Sequence, residues 1–398
     1  MAKKKILWLT DSVWQPTGYG IVGRNVLKHL AKNPEFEVHA VCLEHIGGKI
    51  KVDEGYTCHP RLMDDHGFDI LGGYIKELNP DIVVTLRDVG LQAGYAQSII
   101  KCKQEGWKGK WYAYLPIDTG RTAHDWPAIL KPMDKIIAMS LWGKKIIKEQ
   151  MGFDSVYIPH GVDTDVFKPM TAEEKEKEKK GKPYSDSFIV GAVGRNQYRK
   201  MWNCAVKGFA GFAKDKNDVC FLYHSDVNPA AHSDGWIFEY IGIKYGCQNK
   251  MLPTFKNLNA GTRFWIDDPM MNRIYNHFDV FMLLTGGEGF GIPILEAQAA
   301  GIPVITTDYT TGRELVGDHG ILIPPLKDSK GRNVIWEGQN GVEFVVPDWD
   351  AATEALEKLY NDKELREKYA KESREYALNY SWDKVVLMWE KLLLDENN

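Results

Sequence analysis

Short, β-branched apolar runs alternate along this chain with longer segments whose apolar positions recur every third or fourth residue. The runs predict buried strands and the longer segments predict amphipathic helices. In the first half the runs are Lys4–Thr10, Glu37–Glu44, Asp81–Arg87, Lys110–Ile117, Lys135–Ser140 and Val156–Pro159. Helices are expected between them, at Ile21–Lys32, Leu71–Leu78, Ala93–Glu105 and Leu141–Gln150. Turns of Gly, Pro, Asn and Asp punctuate the series. Alternation of this kind implies a parallel sheet covered on both faces.

Thr171–Lys182 breaks the pattern, being densely charged with no apolar face, and reads as a solvated linker or a short exposed helix. Alternation then resumes, with strands expected at Phe188–Gly194, Val219–His224, Arg263–Ile266, Val280–Leu284, Pro303–Thr307 and Ile321–Pro324. Helices are expected at Trp202–Ala213, Trp236–Tyr245, Met270–His277, Ile292–Ala300 and Ala351–Tyr360, followed by Lys363–Tyr380 and Trp382–Leu394. A chain of 398 residues exceeds one comfortable core. The reading is therefore two doubly wound α/β domains with a cleft at the carboxyl ends of their strands. Residues 1–169 form the first domain, 170–184 the linker and 185–380 the second. A final helix over 381–398 is expected to pack back on the first.

Composition adds mainly exclusions. The formal charge of −4 gives no general attraction to nucleic acid. Cys42, Cys58, Cys102, Cys204, Cys220 and Cys247 are far apart and form no C-x-x-C pair, so neither a zinc ribbon nor a disulfide scaffold is indicated. A reducing cytoplasm is the simplest setting. No apolar run reaches membrane-spanning length, and the run after Lys3–Lys5 is too short for a signal peptide and reads as the first strand.

Two glycine-rich stretches carry the chemistry. Gly18-Tyr19-Gly20-Ile21-Val22-Gly23 spells G-x-G-x-x-G, and Glu44 follows about twenty residues on, as a dinucleotide site would have it. The first strand ends at Thr10, however, and seven residues, Asp11 to Thr17, intervene before Gly18. That detour removes the dinucleotide geometry, and Glu44 reverts to a solvated strand-end carboxylate. Close backbone approach to a phosphate or a sugar survives at Gly18 and Gly20, beside the start of a helix. The second stretch, Thr285-Gly286-Gly287-Glu288-Gly289-Phe290-Gly291-Ile292-Pro293-Ile294-Leu295-Glu296, leaves a strand and enters a helix. The amides of Gly289 to Ile292 can face one anion. Glu288 in the loop and Glu296 in the helix can hold hydroxyls at the two ends of an elongated ligand such as a nucleotide sugar. Arg195 and Lys200, at the end of Phe188–Gly194, can neutralise a diphosphate, and Arg199 beside them is a third cation.

With these pieces, and with Ile158-Pro159-His160-Gly161-Val162-Asp163-Thr164-Asp165-Val166-Phe167-Lys168-Pro169 before the linker, the chain resembles the retaining GT-B glycosyltransferases related to sucrose, glycogen and mannosyl-lipid synthases, family 4-like. The resemblance implies a GT-B fold of two Rossmann-like domains facing across a cleft. It implies a nucleoside-diphosphate sugar as donor, UDP- or GDP-linked, and transfer to an acceptor hydroxyl with retention. Arg195 and Lys200 would hold the diphosphate, Glu288 sugar hydroxyls, Phe290, Gly291 and Ile292 the sugar and phosphate through their backbone, and Glu296 the ribose. Gly18 and Gly20 would approach the donor from the other domain. Many relatives carry a histidine near the transferred sugar after the fourth strand of the first domain. Here Asp118 stands in that region, as a contact to sugar or acceptor, with His124 a second choice.

No metal and no cofactor beyond the donor is expected. Asp163-Thr164-Asp165 and Asp348-Trp349-Asp350 spell the metal-binding D-x-D of another transferase fold, but lie in a domain connection and before a helix. A nucleotide-sugar epimerase or hydrolase of the same fold, and a donor-binding protein without transfer, are the alternatives. Lipid, saccharide, protein, small-molecule and modified nucleic-acid-base hydroxyls all stand as acceptors.

Overall fold

The computed structural model describes residues 3–226, 235–255, 266–338 and 341–395. In chain order the elements are β1 (Lys4–Thr10), α1 (Gly18–Leu30), β2 (Phe36–Cys42), β3 (Ile50–Lys51), β4 (Thr57–Pro60), α2 (Leu71–Leu78), β5 (Ile82–Leu86), α3 (Val89–Gln104), β6 (Lys110–Leu115), α4 (Trp126–Leu130), β7 (Lys135–Ala138), α5 (Leu141–Ile146) and β8 (Val156–Tyr157). They continue with α6 (Ala172–Lys179), β9 (Phe188–Val193), α7 (Trp202–Ala213), β10 (Val219–His224), α8 (Phe238–Tyr245), β11 (Met251–Pro253), α9 (Asp268–Asn276), β12 (Val280–Leu283), α10 (Ile292–Ala299), β13 (Val304–Thr307), α11 (Gly312–Val316) and β14 (Ile321–Ile323). Last come β15 (Ile335–Glu337), β16 (Glu343–Val345), α12 (Trp349–Asn361), α13 (Lys363–Ala377) and α14 (Trp382–Leu394). The expected strand Arg263–Ile266 falls, but for its last residue, outside the described residues.

The chain divides into two compact units, Met1–Gly161 with Tyr380–Asn398, and Val162–Asn379. Residues 162–169, assigned from the sequence to the first half, belong with the second unit. Arg374 Nη2 donates to Thr164 O (2.9 Å), and Asn272 and Asn276 accept the amides of Lys168 (3.1 Å) and Met170 (2.8 Å). The charged stretch after them forms α6, opened by a capping box between Thr171 and Glu174, with no buried residue.

The first unit holds a sheet ordered β3-β4-β2-β1-β5-β6-β7-β8, parallel except for β3 against β4. The run Ile6-Leu7-Trp8-Leu9 is fully buried because helices cover both faces of a parallel sheet. Trp8 meets Trp389 of α14 edge-on at 4.8 Å, and Tyr114 meets the same ring at 5.0 Å. The second unit holds a parallel sheet ordered β11-β10-β9-β12-β13-β14 and a separate antiparallel hairpin, β15–β16. In each sheet the order reverses at the first strand of the unit. β1 lies between β2 and β5, and β9 lies between β10 and β12. Loops leaving the carboxyl ends of the two strands on either side of such a reversal part in opposite directions, and the crevice between them is where doubly wound sheets bind ligands. Among the described residues no helix is long and apolar enough to cross a membrane.

Candidate functional site

At the switch point of the second unit, the loop after β9 meets the loop after β12. A short 3₁₀ turn, Tyr198–Lys200, ends in Met201 at φ +43° and turns Lys200 inward. Lys200 Nζ donates to Glu288 Oε1 at 2.5 Å, both side chains being buried. Arg199 Nη1 lies 3.6 Å from Glu288 Oε2 and donates to Gly287 O at 2.8 Å. The two loops are also joined by backbone, Gly286 N to Arg199 O at 2.7 Å. Burial pushes the Glu288 carboxyl up. Lys200 and Arg199, with hydrogen bonds from Lys200 and Thr285, outweigh it and hold the carboxyl below its ordinary value. Glu288 is therefore an anion at neutral pH.

Threonines after β13 steady the glycine loop. Thr310 Oγ1 accepts the Glu288 amide at 2.9 Å, and Thr311 Oγ1 donates to Phe290 O at 2.6 Å. Gly291 then takes φ +103°, a left-handed conformation open to glycine, and the chain enters α10 with Pro293 in its first turn. Phe290 and Gly291 are buried and Ile292 is half-buried. On α10, Glu296 is buried, and Tyr275 donates its hydroxyl to Glu296 Oε2 at 2.7 Å. Burial and that carboxylate raise the Tyr275 phenol well above its usual value, so it remains a donor.

The structure thus brings Lys200 and Glu288 together, with Arg199 as the second cation at the carboxylate. Arg195 is exposed and makes no ion pair among the described residues, while its carbonyl accepts Trp202 Nε1 at 3.0 Å. The 3₁₀ turn sets which arginine faces Glu288, and spacing alone does not report it.

The first unit has its own rim at the ends of β1, β5 and β6. Asp11, directly after β1, is buried and paired with Arg87, directly after β5 and only 5% exposed. Tyr19 donates to Asp88 Oδ1 at 2.9 Å, and the Asp118 carboxylate contributes to raising the Tyr19 phenol, after burial and Asp88. Asp118 is half-buried and His124 exposed. Two expectations are corrected here. Helix α1 starts at Gly18 rather than Ile21, because the Thr17 side chain caps it by accepting the Gly20 amide (3.0 Å). Glu44 is exposed, as expected of a solvated carboxylate, but it is no bystander, since its Oε2 accepts the Ser12 amide at 2.5 Å in the loop after β1. Asp11, Arg87, Asp88 and Tyr275 were missed from the sequence. For Asp11, Arg87 and Asp88 the signal available is a charged residue immediately after a buried parallel strand, as in Ile82-Val83-Val84-Thr85-Leu86-Arg87-Asp88, whereas Tyr275, inside α9, carries no such signal.

Both D-x-D stretches cap turns. Asp163 Oδ1 accepts the amides of Asp165 and Val166, each at 3.2 Å, and Asp348 Oδ1 accepts those of Asp350 (3.0 Å) and Ala351 (3.2 Å) at the start of α12.

Two doubly wound α/β units, each with its polar cluster at the switch point, are the units of the GT-B fold, and solved structures with that fold match over nearly the whole chain. Sucrose-phosphate synthase from Thermosynechococcus elongatus aligns with a TM-score of 0.76 at 16% identity, covering 98% of each chain. HepE from Anabaena, solved in complex with UDP and glucose, aligns with a TM-score of 0.72 at 13% identity, covering 98% of this chain and 99% of that one. The family model for glycosyl transferases group 1 matches residues 254–376. By sequence it is 27% identical over 244 residues to the capsular polysaccharide biosynthesis glycosyltransferase CapM of Staphylococcus aureus, 61% of this chain and 53% of that protein. The match thus spans about half of that relative.

Proposed function

We propose that this chain transfers a sugar from a nucleoside-diphosphate sugar to an acceptor hydroxyl, with retention of anomeric configuration and without a metal. The observation that carries the proposal is the buried Lys200–Glu288 pair with Arg199, set beside the start of α10 within a group 1 domain. A diphosphate leaving group needs fixed positive charge where its own charge develops. Lys200, Arg199 and Arg195 supply it, with the amides entering α10 as a further positive end. Glu288, kept ionised by the same cations, accepts sugar hydroxyls, and Glu296, steadied by Tyr275, accepts those of the ribose. The departing phosphate takes the acceptor proton. HepE was solved with UDP, and a uridine nucleotide is the first donor to try, ahead of a guanosine one.

Hydrolysis of a panel of nucleotide sugars, followed by mass spectrometry without added acceptor, tests this directly. The expected outcome is slow release of free sugar from one donor. In Lys200→Ala the reaction should slow as if about 2.7–4 kcal/mol of transition-state stabilisation were lost. Unchanged kinetics in that variant would remove Lys200 from the role. Release of an epimerised sugar would favour an epimerase instead.

A further inference from the structure

The seven residues between β1 and α1 form a heavily bonded loop. Glu44 holds Ser12 N (2.5 Å), Arg24 Nη1 holds Val13 O (3.3 Å), and Gln15 N bonds Ser12 O (2.8 Å). Thr10 Oγ1 donates to Tyr19 O at 2.9 Å. One path through this loop runs across the sheet. Arg87 Nη1 donates to Asp11 Oδ1, Thr17 Oγ1 donates to Asp11 Oδ2, and the Gly20 amide donates to Thr17 Oγ1.

We infer that Arg87 is a positioning residue, which through Asp11 and Thr17 fixes the backbone of the Gly18–Gly20 turn for the nucleotide sugar. The inference rests on the proposed sugar transfer. The direction of each bond carries it. A hydroxyl has one proton, and Thr17 gives that proton to Asp11, so its lone pairs are left for the Gly20 N–H. Arg87 occupies Asp11 Oδ1, which turns Oδ2 toward that proton. Asp11 is only 7% exposed, and a carboxyl so deeply buried needs a partner for each oxygen. Arg87 is one of those partners and Thr17 the other. The Arg87 Nε is buried with no hydrogen-bond partner among the described residues, so the guanidinium is desolvated to reach Asp11, a cost that surface side chains do not bear. Without Arg87, Asp11 Oδ1 has lost that partner and the carboxyl is free to turn away from Thr17. The Thr17 hydroxyl then has no fixed acceptor, and the cap on the first turn of α1 loosens. Residue 20 has little room to move without consequence, because the position of a Cβ there lies 2.5 Å from Gln15 O and 2.7 Å from Ser12 O.

The test is a double-mutant cycle read by steady-state kinetics. UDP-glucose and GDP-mannose are the probes, and wild type is the reference. Arg87→Met should lower kcat/KM by up to about a hundredfold, the scale of an ångström-sized misplacement made at a distance. Thr17→Val breaks the same path at its other end while leaving both charges of the buried pair in place, and should lose a similar factor. The double variant should lose no more than either single one, while Arg87→Lys and Thr17→Ser recover activity. Multiplicative losses in the double variant, or wild-type kinetics in a folded Arg87→Met, overturn the inference. If wild type turns over neither these two donors nor any other of the nucleotide-sugar panel, the proposed function fails and hydrogen exchange at the Gly20 amide decides the relay on its own. Faster exchange in both single variants supports it, and unchanged exchange in Arg87→Met overturns it.

Discussion

Glu288 is the residue on which the second unit's electrostatics turn. Its folded carboxyl lies below its ordinary value, so the unfolded state binds the proton more readily. The stability it contributes is whole above the ordinary carboxylate range and is lost as pH falls through the lower, folded value. Melting temperatures taken stepwise from neutral to acid pH should therefore converge for wild type and Glu288→Gln. Near neutrality the variant should be less stable by about 3 kcal/mol, the low end for breaking a buried pair, since glutamine keeps an acceptor for Lys200. Equal melting temperatures at neutral pH would mean that the pair contributes nothing net. Lys200 could be picked out from the sequence as a cation after a strand, and Glu288 as an acid in a glycine frame. Their direct pairing could not, because it depends on which way a three-residue turn points three adjacent basic and aromatic side chains. Arg87 and Asp11 were less legible still, being 76 residues apart and joined only when β1 and β5 lie side by side.

Elements with a strong internal signal came through the sequence reading nearly intact. β1, β10, α2, α7 and α14 match their expected limits, because each couples an unbroken apolar run or stripe to clear turn residues. What was missed is short, too few residues for a period to show. β3 is two exposed residues, and β15 carries Ile335 and Trp336 partly in solvent, so neither shows the alternation of a half-buried strand. The β15–β16 hairpin nonetheless touches the glycine loop, with Val345 N donating to Gly286 O at 3.1 Å. The start of α1 was misplaced because two glycines suggested a loop, whereas the Thr17 cap lets them serve as the first helical turn. That turn yields a prediction of its own. Gly20→Ala inserts a methyl against two backbone oxygens that cannot swing aside, and should destabilise the first unit by about 1–3 kcal/mol in thermal denaturation. A neutral result would show that the loop from Asp11 to Thr17 yields more easily than its hydrogen bonds imply.

The whole molecule is divided unevenly along its sequence, since the first unit is closed by residues that come after the second. α14 fills the last gap there. Trp389 is fully buried against Trp8 and Tyr114, Asn33 bonds Glu390 (3.0 Å), and Lys4 Nζ bonds Leu393 O (2.8 Å). Trp389→Ala should cost about 3–5 kcal/mol, seen as an early transition confined to the first unit. A chain ended at Asn379 should keep the second unit's cooperative melt and lose the first's, which calorimetry of the two chains would distinguish. This layout has a consequence for synthesis. The half that leaves the ribosome first cannot be finished until the final helix emerges, while the half translated later is complete before it. Until then the newborn polypeptide exposes an apolar seam along β1 and α1, which makes that interval the natural one for a chaperone to act.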